Sequence, residues 1–199
     1  MDTKDKYDKV SKIYDKMEKM MFFNKHRKSL IAFTSGKVLE LGVGTGANIN
    51  YYSKEVSVTG IDFSPKMLAK AKEAIEKNHI TNIKLEEMDI QHMSFEDNSF
   101  DCAVSTCVFC TVPAPVAGLK EVYRVLKPGG RVFFLEHMRS TNPVINIVLF
   151  MMSIMSKFFL GTSMIRKTQE NIEKAGFKIV ERRDLFFDVL RIIIAEKTI

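Results

Sequence analysis

Hydrophobic and polar positions fall into two alternating regimes along the chain. Short apolar runs bounded by Gly, Asp or Pro recur at Lys37 to Leu41, Val56 to Ile61, Ile83 to Met88, Phe100 to Ser105 and Arg131 to Leu135. Their length and β-branched content predict buried strands. Between them lie stretches of helical period. Ser64-Pro65 supplies an N-cap and a first-turn proline for a helix over Lys66 to Lys77. Val116, Leu119, Val122, Tyr123 and Leu126 share one face of a helix over 116–126, which Lys127-Pro128-Gly129-Gly130 stops. A helix over Ile165 to Ala175 closes at Gly176, and two strands follow, Phe177 to Arg182 and Val189 to Glu196. Strands alternating with helices of these lengths predict an α/β fold with a doubly wound, mostly parallel sheet. At 199 residues the chain suits one domain, 1–199.

Both ends depart from this alternation. Near the start, Val10, Tyr14, Met17 and Met21 recur at helical spacing while Lys9, Lys12, Lys16 and Lys19 occupy other faces. Residues 1–35 therefore read as an amphipathic, basic helical cap, continued by Phe22 to Phe33. In the last third, Val144 to Leu160 is almost wholly apolar and rich in Met and Phe. It is short for a membrane span of about 20 residues, so the segment 141–163 reads as a buried helix or as an interfacial lid.

Charge sharpens the reading of the first end. The formal net charge is +6, and residues 1–37 hold nine Lys and one Arg against five acids. A basic amphipathic start suits contact with an anionic membrane surface as well as packing on the domain. The three cysteines show no disulfide-framework spacing, and Cys107-x-x-Cys110 lacks a second ligand pair, so no metal is expected. The charged N-terminus has no apolar signal-peptide core. A reducing cytoplasm is the expected location, with peripheral contact at the inner membrane surface.

Candidate chemistry centres on the end of the first strand. Glu40-Leu41 runs into Gly42-x-Gly44-x-Gly46, a turn whose missing Cβ atoms let a ligand approach the backbone. A short helix over Ala47 to Ser53 would aim its N-terminus at that ligand. Asp62, at the end of the second strand, follows by the roughly 20 residues expected of a ribose-binding carboxylate. The glycine spacing is not the G-x-G-x-x-G of dinucleotide sites, which argues against a nicotinamide cofactor.

Glu40-Leu-Gly-Val-Gly-Thr-Gly46, Gly60-Ile-Asp-Phe-Ser-Pro-Lys-Met-Leu68, Met88-Asp89 and Arg124-Val-Leu-Lys-Pro-Gly-Gly-Arg131 together resemble the class I S-adenosylmethionine (SAM) dependent methyltransferases over residues 36 to 137. The resemblance implies a Rossmann-like seven-strand sheet with the last strand antiparallel, and SAM as cofactor. It also implies site roles. Glu40 and the backbone of Gly42, Gly44 and Gly46 hold the methionine tail, Asp62 the ribose hydroxyls, Phe63 and Asp89 the adenine, and Ile90 a neighbouring backbone contact. Ser105 borders the same site, and Tyr14 closes over it from the N-terminal cap.

Methyl transfer needs an acceptor lone pair in line with the carbon–sulfur bond, so positioning does most of the work. An amine acceptor must also lose a proton, and His137, just past the fifth strand, is the candidate base. A loop-ordering hydrogen bond is its alternative role. Cys107 and Cys110 read as small buried residues shaping the pocket. The Tyr7 and Tyr14 neighbourhoods, Phe134-Leu-Glu-His-Met-Arg-Ser140 and the apolar segment resemble small bacterial phospholipid N-methyltransferases and their thiol- and quinone-methylating relatives. That branch implies a lipophilic or phospholipid acceptor, first of all the amine of a phosphatidylethanolamine-like lipid. The alternatives are a thiol or quinone acceptor and a SAM-binding module without turnover. Nucleic acid is not expected as a partner.

Overall fold

The computed structural model describes residues 24–198. Seven strands form one sheet in the order β3-β2-β1-β4-β5-β7-β6. The strands are β1 Lys37–Leu41, β2 Ser57–Asp62, β3 Ile83–Glu87, β4 Phe100–Thr106, β5 Leu126–His137, β6 Lys178–Leu185 and β7 Leu190–Glu196. β1 to β5 pair in parallel, and β7 is antiparallel to both of its neighbours. The expected architecture, last strand included, is the one found.

Strand alternation sends the core to both faces. Leu39, Leu41, Ala103, Val132, Phe134 and Ile193 belong to one apolar cluster, and Val38, Val58, Val104, Phe133, Leu135 and Ile192 to the other. The first face is covered by α3 Pro115–Val125 and α5 Thr168–Lys174. The second is covered by α1 Asn24–Ile31 and α2 Pro65–Lys77, with Phe33 stacked on Phe133 at 6.4 Å. Helix α2 begins as read: the Ser64 hydroxyl accepts from Met67 N at 3.2 Å and Pro65 opens the first turn.

Three local expectations change. The helix expected at Ala47 to Ser53 is a single 3-10 turn, Ile49–Tyr51, after which Tyr52 is already extended. Its bonds are of the i→i−3 kind, Ile49 N to Gly46 O at 3.2 Å and Tyr51 N to Asn48 O at 2.9 Å. Asn-Ile-Asn-Tyr-Tyr has weak helix propensity, and the strand soon resumes. No aligned helix dipole therefore points at the glycine turn. The Lys127–Gly130 stretch, read as a helix stop, runs inside β5: Leu126 pairs with Phe100 and Arg131 with Cys102, across a bulge. Gly129 and Gly130 exchange backbone bonds with Lys197 at 2.9 Å, which holds the bulge in the sheet. The helix expected over 165–175 contracts to Thr168–Lys174.

Helix α4, Pro143–Leu160, is capped by Asn142 and ended by Gly161 at φ 72°. Its polarity is inverted. Leu149 and Ser153 are buried, with the Ser153 hydroxyl accepting from Met164 N at 2.7 Å and Ser156 donating to Thr162 O at 2.8 Å. Val144, Ile147, Val148, Phe150, Met151, Met152, Ile154 and Met155 are all more than half exposed. Among its described side chains the helix thus turns a stripe with two serines to the protein and its apolar residues outward. Among the described residues no helix is long and apolar enough to cross a membrane. The basic helix over residues 7–21 and the placement of Tyr14 lie outside the described residues.

Candidate active site at the carboxyl edge of the sheet

From β1 the chain moves outward to β2 and β3, whereas β4 leads the opposite way to β5. At this switch the two connections diverge and leave a crevice past the strand ends, where open α/β sheets bind ligands. The crevice is lined by Arg27, Gly42, Val43, Gly44, Asp62, Phe63, Met67, Thr106, Cys107, Val108 and Thr111.

The glycine turn forms one wall. Gly42 and Gly44 both have φ 57°, and a Cβ at Gly42 would lie 2.8 Å from Val108 Cγ2. Only glycine satisfies that conformation and that spacing together. Val43 N donates to Ile61 O at 2.9 Å, Gly44 N to Asp62 Oδ2 at 3.0 Å and Ser64 N to Asp62 Oδ1 at 2.9 Å. The Asp62 carboxylate therefore clamps the turn after β1 to the start of α2, with Phe63 beside it on the crevice wall.

Beneath the turn lies a buried polar network. Arg27 Nη1 donates to Asn48 Oδ1 at 3.0 Å and to Thr106 Oγ1 at 2.8 Å, and Asn48 Nδ2 donates to Glu40 Oε1 at 2.8 Å. Arg27, Asn48 and Glu40 are each at most 3% exposed. Burial, and then the charge of Glu40, push the Tyr52 phenol well above its ordinary pKa. Replacing Arg27 with Met keeps the apolar stem but strips Asn48 and Thr106 of a charged donor. The expected cost is about 2–3 kcal/mol, since acceptors left buried carry their full desolvation penalty. Urea denaturation measures it, and a change below about 0.5 kcal/mol would contradict the network's role.

The loop after β4 is held by Glu136. Its Oε1 accepts from Ser105 Oγ at 2.7 Å, Val108 N at 2.8 Å and, longer, Phe109 N at 3.4 Å, while Oε2 is buried with no hydrogen-bond partner among the described residues. Burial raises its pKa to about 7, against the pull of those donors and of Arg27. His137 follows on the opposite face of β5, the face that α1 covers. It is half-buried, its Nδ1 has no hydrogen-bond partner among the described residues, and burial lowers its pKa to about 4.

Of the residues singled out from sequence, Glu40, Gly42, Gly44, Gly46, Asp62 and Phe63 converge on the turn and crevice. Others do not line the crevice. Ser105 is fully buried and spends its hydroxyl on Glu136. Asp89 sits in an exposed turn, accepting from Gln91 N at 2.9 Å and from the Gln91 amide. Ile90 is in the core, next to Gly118. Sequence reasoning read Thr106 only as part of a pocket-shaping loop, 106–111, and gave no role to Arg27, Asn48 or Glu136. A signal existed for Arg27: with Leu30 and Ile31 it occupies the i, i+3, i+4 positions of the buried face of α1.

A mostly parallel seven-strand sheet with a glycine cradle and an acidic strand end at its switch point is the arrangement of the class I SAM-dependent methyltransferases, and the likeness to sequence relatives assigns the chain to them, with SAM as cofactor. The two left-handed glycines and the adjoining Asp62 carboxylate are the features that fit that group. Residues 39–134 match the family described as a methyltransferase domain. The chain is 36% identical to a demethylmenaquinone methyltransferase of Staphylococcus aureus over 195 residues, 90% of this chain and 79% of the relative. It is 43% identical to a phosphatidylethanolamine N-methyltransferase of Cereibacter sphaeroides over 103 residues, so that match spans about half of each chain. Among solved structures, a SAM-dependent methyltransferase of Aquifex aeolicus superposes with TM-score 0.62 at 21% identity, covering 81% of this chain and 82% of that one. The [4+2]-cyclase SpnF superposes with TM-score 0.71 at 16% identity over 89% of this chain and 80% of its own. Likeness at that identity speaks for the fold alone. The chain belongs to the SAM-dependent methyltransferases.

Proposed function

We propose that this enzyme methylates an acceptor residing in a lipid surface, first of all the primary amine of a phosphatidylethanolamine-like phospholipid. The observation that carries the reading is the inverted helix α4, with eight large apolar residues more than half exposed. A patch of that kind on a chain with no membrane-crossing helix among its described residues suits an interfacial partner. The basic, amphipathic N-terminal segment fits peripheral attachment to an anionic surface. The half-length likeness to a phosphatidylethanolamine methyltransferase favours the amine.

In this reading Glu40 and the glycine turn hold the amino-acid tail of SAM, Asp62 its ribose, and Phe63, Asp89 and the Ile90 backbone its adenine. Tyr14 and the Ser105 backbone border the same site. The bound sulfonium supplies an activated methyl group. The chain's task is to bring the acceptor nitrogen into line and keep water out. His137, held neutral by burial, accepts a hydrogen bond from the amine and orients its lone pair; its low pKa makes it a weak proton store. His137→Ala is expected to leave SAM affinity within about twofold and to lower turnover about 100-fold. Isothermal titration and single-turnover assays separate the two, and a matching loss in both would remove His137 from the chemistry.

A quinol acceptor is the second reading, favoured by the match to a demethylmenaquinone methyltransferase over 90% of the chain. The deciding assay follows labelled methyl from SAM into phosphatidylethanolamine vesicles on one side and lipophilic quinols and thiols on the other. Label in the lipid is the expected result. Label only in quinol or thiol would replace the phospholipid amine, and SAM binding without turnover on any acceptor would leave a binding module.

A further inference from the structure

A second cleft, of about 410 Å³, opens where the loop after β5 meets the turn before α5, at the foot of helix α4. Its walls include Arg139, Arg166, Lys167, Thr168, Arg182 and Arg191. The acids in contact with these cations are fewer. Lys167 reaches Glu170 at 3.0 Å, Arg182 forks onto Asp184 at 2.8 and 2.9 Å, and Arg191 meets Asp184 and Asp188, each at 3.2 Å. Arg139 has no side-chain partner among the described residues.

Two details bear on what the cleft would hold. The Arg182 and Arg191 guanidiniums converge on a single amide oxygen, Gln169 Oε1, at 3.1 and 3.2 Å, and Arg191 is only 5% exposed. Asp184 bridges the two guanidiniums and Asp188 meets Arg191, so that pair is balanced, and the cleft's cations without an ion-paired carboxylate among the described residues are Arg139 and Arg166. The Thr168 hydroxyl, on the cleft wall, is fully buried and has no hydrogen-bond partner among the described residues. It is an unused donor among five cations.

The cleft adjoins both halves of the proposed reaction. Arg166 donates to Val112 O at 3.0 Å, which ties the cleft to the loop that begins at Cys107 and walls the SAM crevice. On its other side the chain runs from Arg139 into Pro143 and the exposed apolar face of α4, which extends from Val144 to Met155, about 17 Å. Cations at the foot of an outward-facing apolar helix match a phospholipid, with phosphate at the headgroup level and acyl chains beside it.

We propose that this cleft is a phosphodiester subsite that seats the phosphate of a bilayer phospholipid while the apolar face of α4 enters the acyl layer. The proposal rests on the reading that the acceptor lies in a lipid surface, and it adds the group by which the enzyme selects that surface.

The test uses the full chain in flotation assays with two uncharged vesicle types of matched acyl chains. One is phosphatidylethanolamine with phosphatidylcholine, which carries phosphodiesters at zero net charge. The other is digalactosyldiacylglycerol, which carries none. The wild type is expected to bind the phospholipid vesicles about tenfold more tightly. In Arg139→Gln/Lys167→Gln that preference should vanish while galactolipid binding and SAM affinity stay within about twofold. Thr168→Val should weaken phospholipid binding in the same direction. Equal wild-type binding to both vesicles, or a double variant that keeps the preference, would overturn the subsite and leave the lipid-surface reading intact. Binding to neither would overturn that reading itself. Glycerophosphoethanolamine should compete with phospholipid vesicles for the wild type; displacement by inorganic phosphate alone would make the cleft a free-phosphate site and overturn the lipid assignment.

Discussion

Asp62→Ala is expected to raise the dissociation constant for SAM about 100-fold or more, with little loss of overall fold. Two loop amides, Gly44 N and Ser64 N, donate to the two oxygens of this carboxylate. A carboxylate has about four acceptor sites, and these amides take two of them. The same group thus orders the glycine turn and, in the proposed complex, accepts from the ribose. Charge-assisted hydrogen bonds contribute about 1.5–3 kcal/mol each, so losing two toward the nucleoside corresponds to about 3–6 kcal/mol. Asp62→Asn should be nearly as damaging. Both oxygens already face an N–H, so the new amide nitrogen must point its hydrogens at one of those donors. Titration calorimetry with SAM and its demethylated product measures both variants. Affinity within about threefold of wild type for Asp62→Ala would remove Asp62 from the cofactor site.

The second large effect is a pair of opposed pH dependences carried by adjacent residues. Glu136 has its folded pKa raised by burial to about 7. The folded state therefore binds a proton more tightly than the unfolded state, and stability falls as pH rises from about 4.5 to about 7. His137 has its folded pKa lowered by burial to about 4. Here the unfolded state binds the proton more tightly, so stability is fully present above about 6.5 and is lost as pH falls toward 4. Each shift is worth about 3 kcal/mol, and the windows overlap with opposite sign. In the wild type the two largely cancel. Removing either group should unmask the other: Glu136→Gln becomes less stable on acidification from pH 7 to pH 4.5, and His137→Gln becomes more stable over the same range. Urea unfolding at half-unit pH steps checks this. Parallel profiles for wild type and both variants would show that neither group titrates differently in the folded and unfolded states. Glu136→Gln should also loosen the loop after β4, because the amide brings two hydrogens to the buried position of Oε2, which has no hydrogen-bond partner among the described residues.

The lipid-facing helix and the site differ in how visible they are in sequence. The run Val144 to Leu160 announces an apolar helix, yet apolar content alone does not say which way it faces. Leu149, Ser153 and Ser156 lie on one side at spacings of four and three, so the inward stripe is periodic. Among the described side chains its buried members are Leu149 and Ser153, with Ile145, Asn146 and Ser156 half-buried beside them, and three of these five are polar residues that burial rules would put outside. The same ambiguity hides the phosphodiester cleft. Its cations come from the loop after β5, the turn before α5 and strands β6 and β7, and nothing in their local spacing joins them.

What the sequence determined by itself is whatever depends on local chemistry and period: five parallel strands with their helices, the Ser64-Pro65 helix start, the glycine turn and the acid at the end of β2; the reversed last strand came from the family resemblance. Those signals are local because a strand, a cap or a left-handed glycine is selected by near neighbours. Only the tertiary structure decided the rest. It shrank the expected helix after the glycine turn to Ile49–Tyr51, sent the Ser105 hydroxyl to Glu136, and buried Arg27 against Asn48 and Thr106. Arg27 lies 79 residues from Thr106 and Ser105 lies 31 from Glu136. A buried polar group must find its partner wherever the sheet order places one, and that order joins β1 to β4 across the whole β2–β3 excursion.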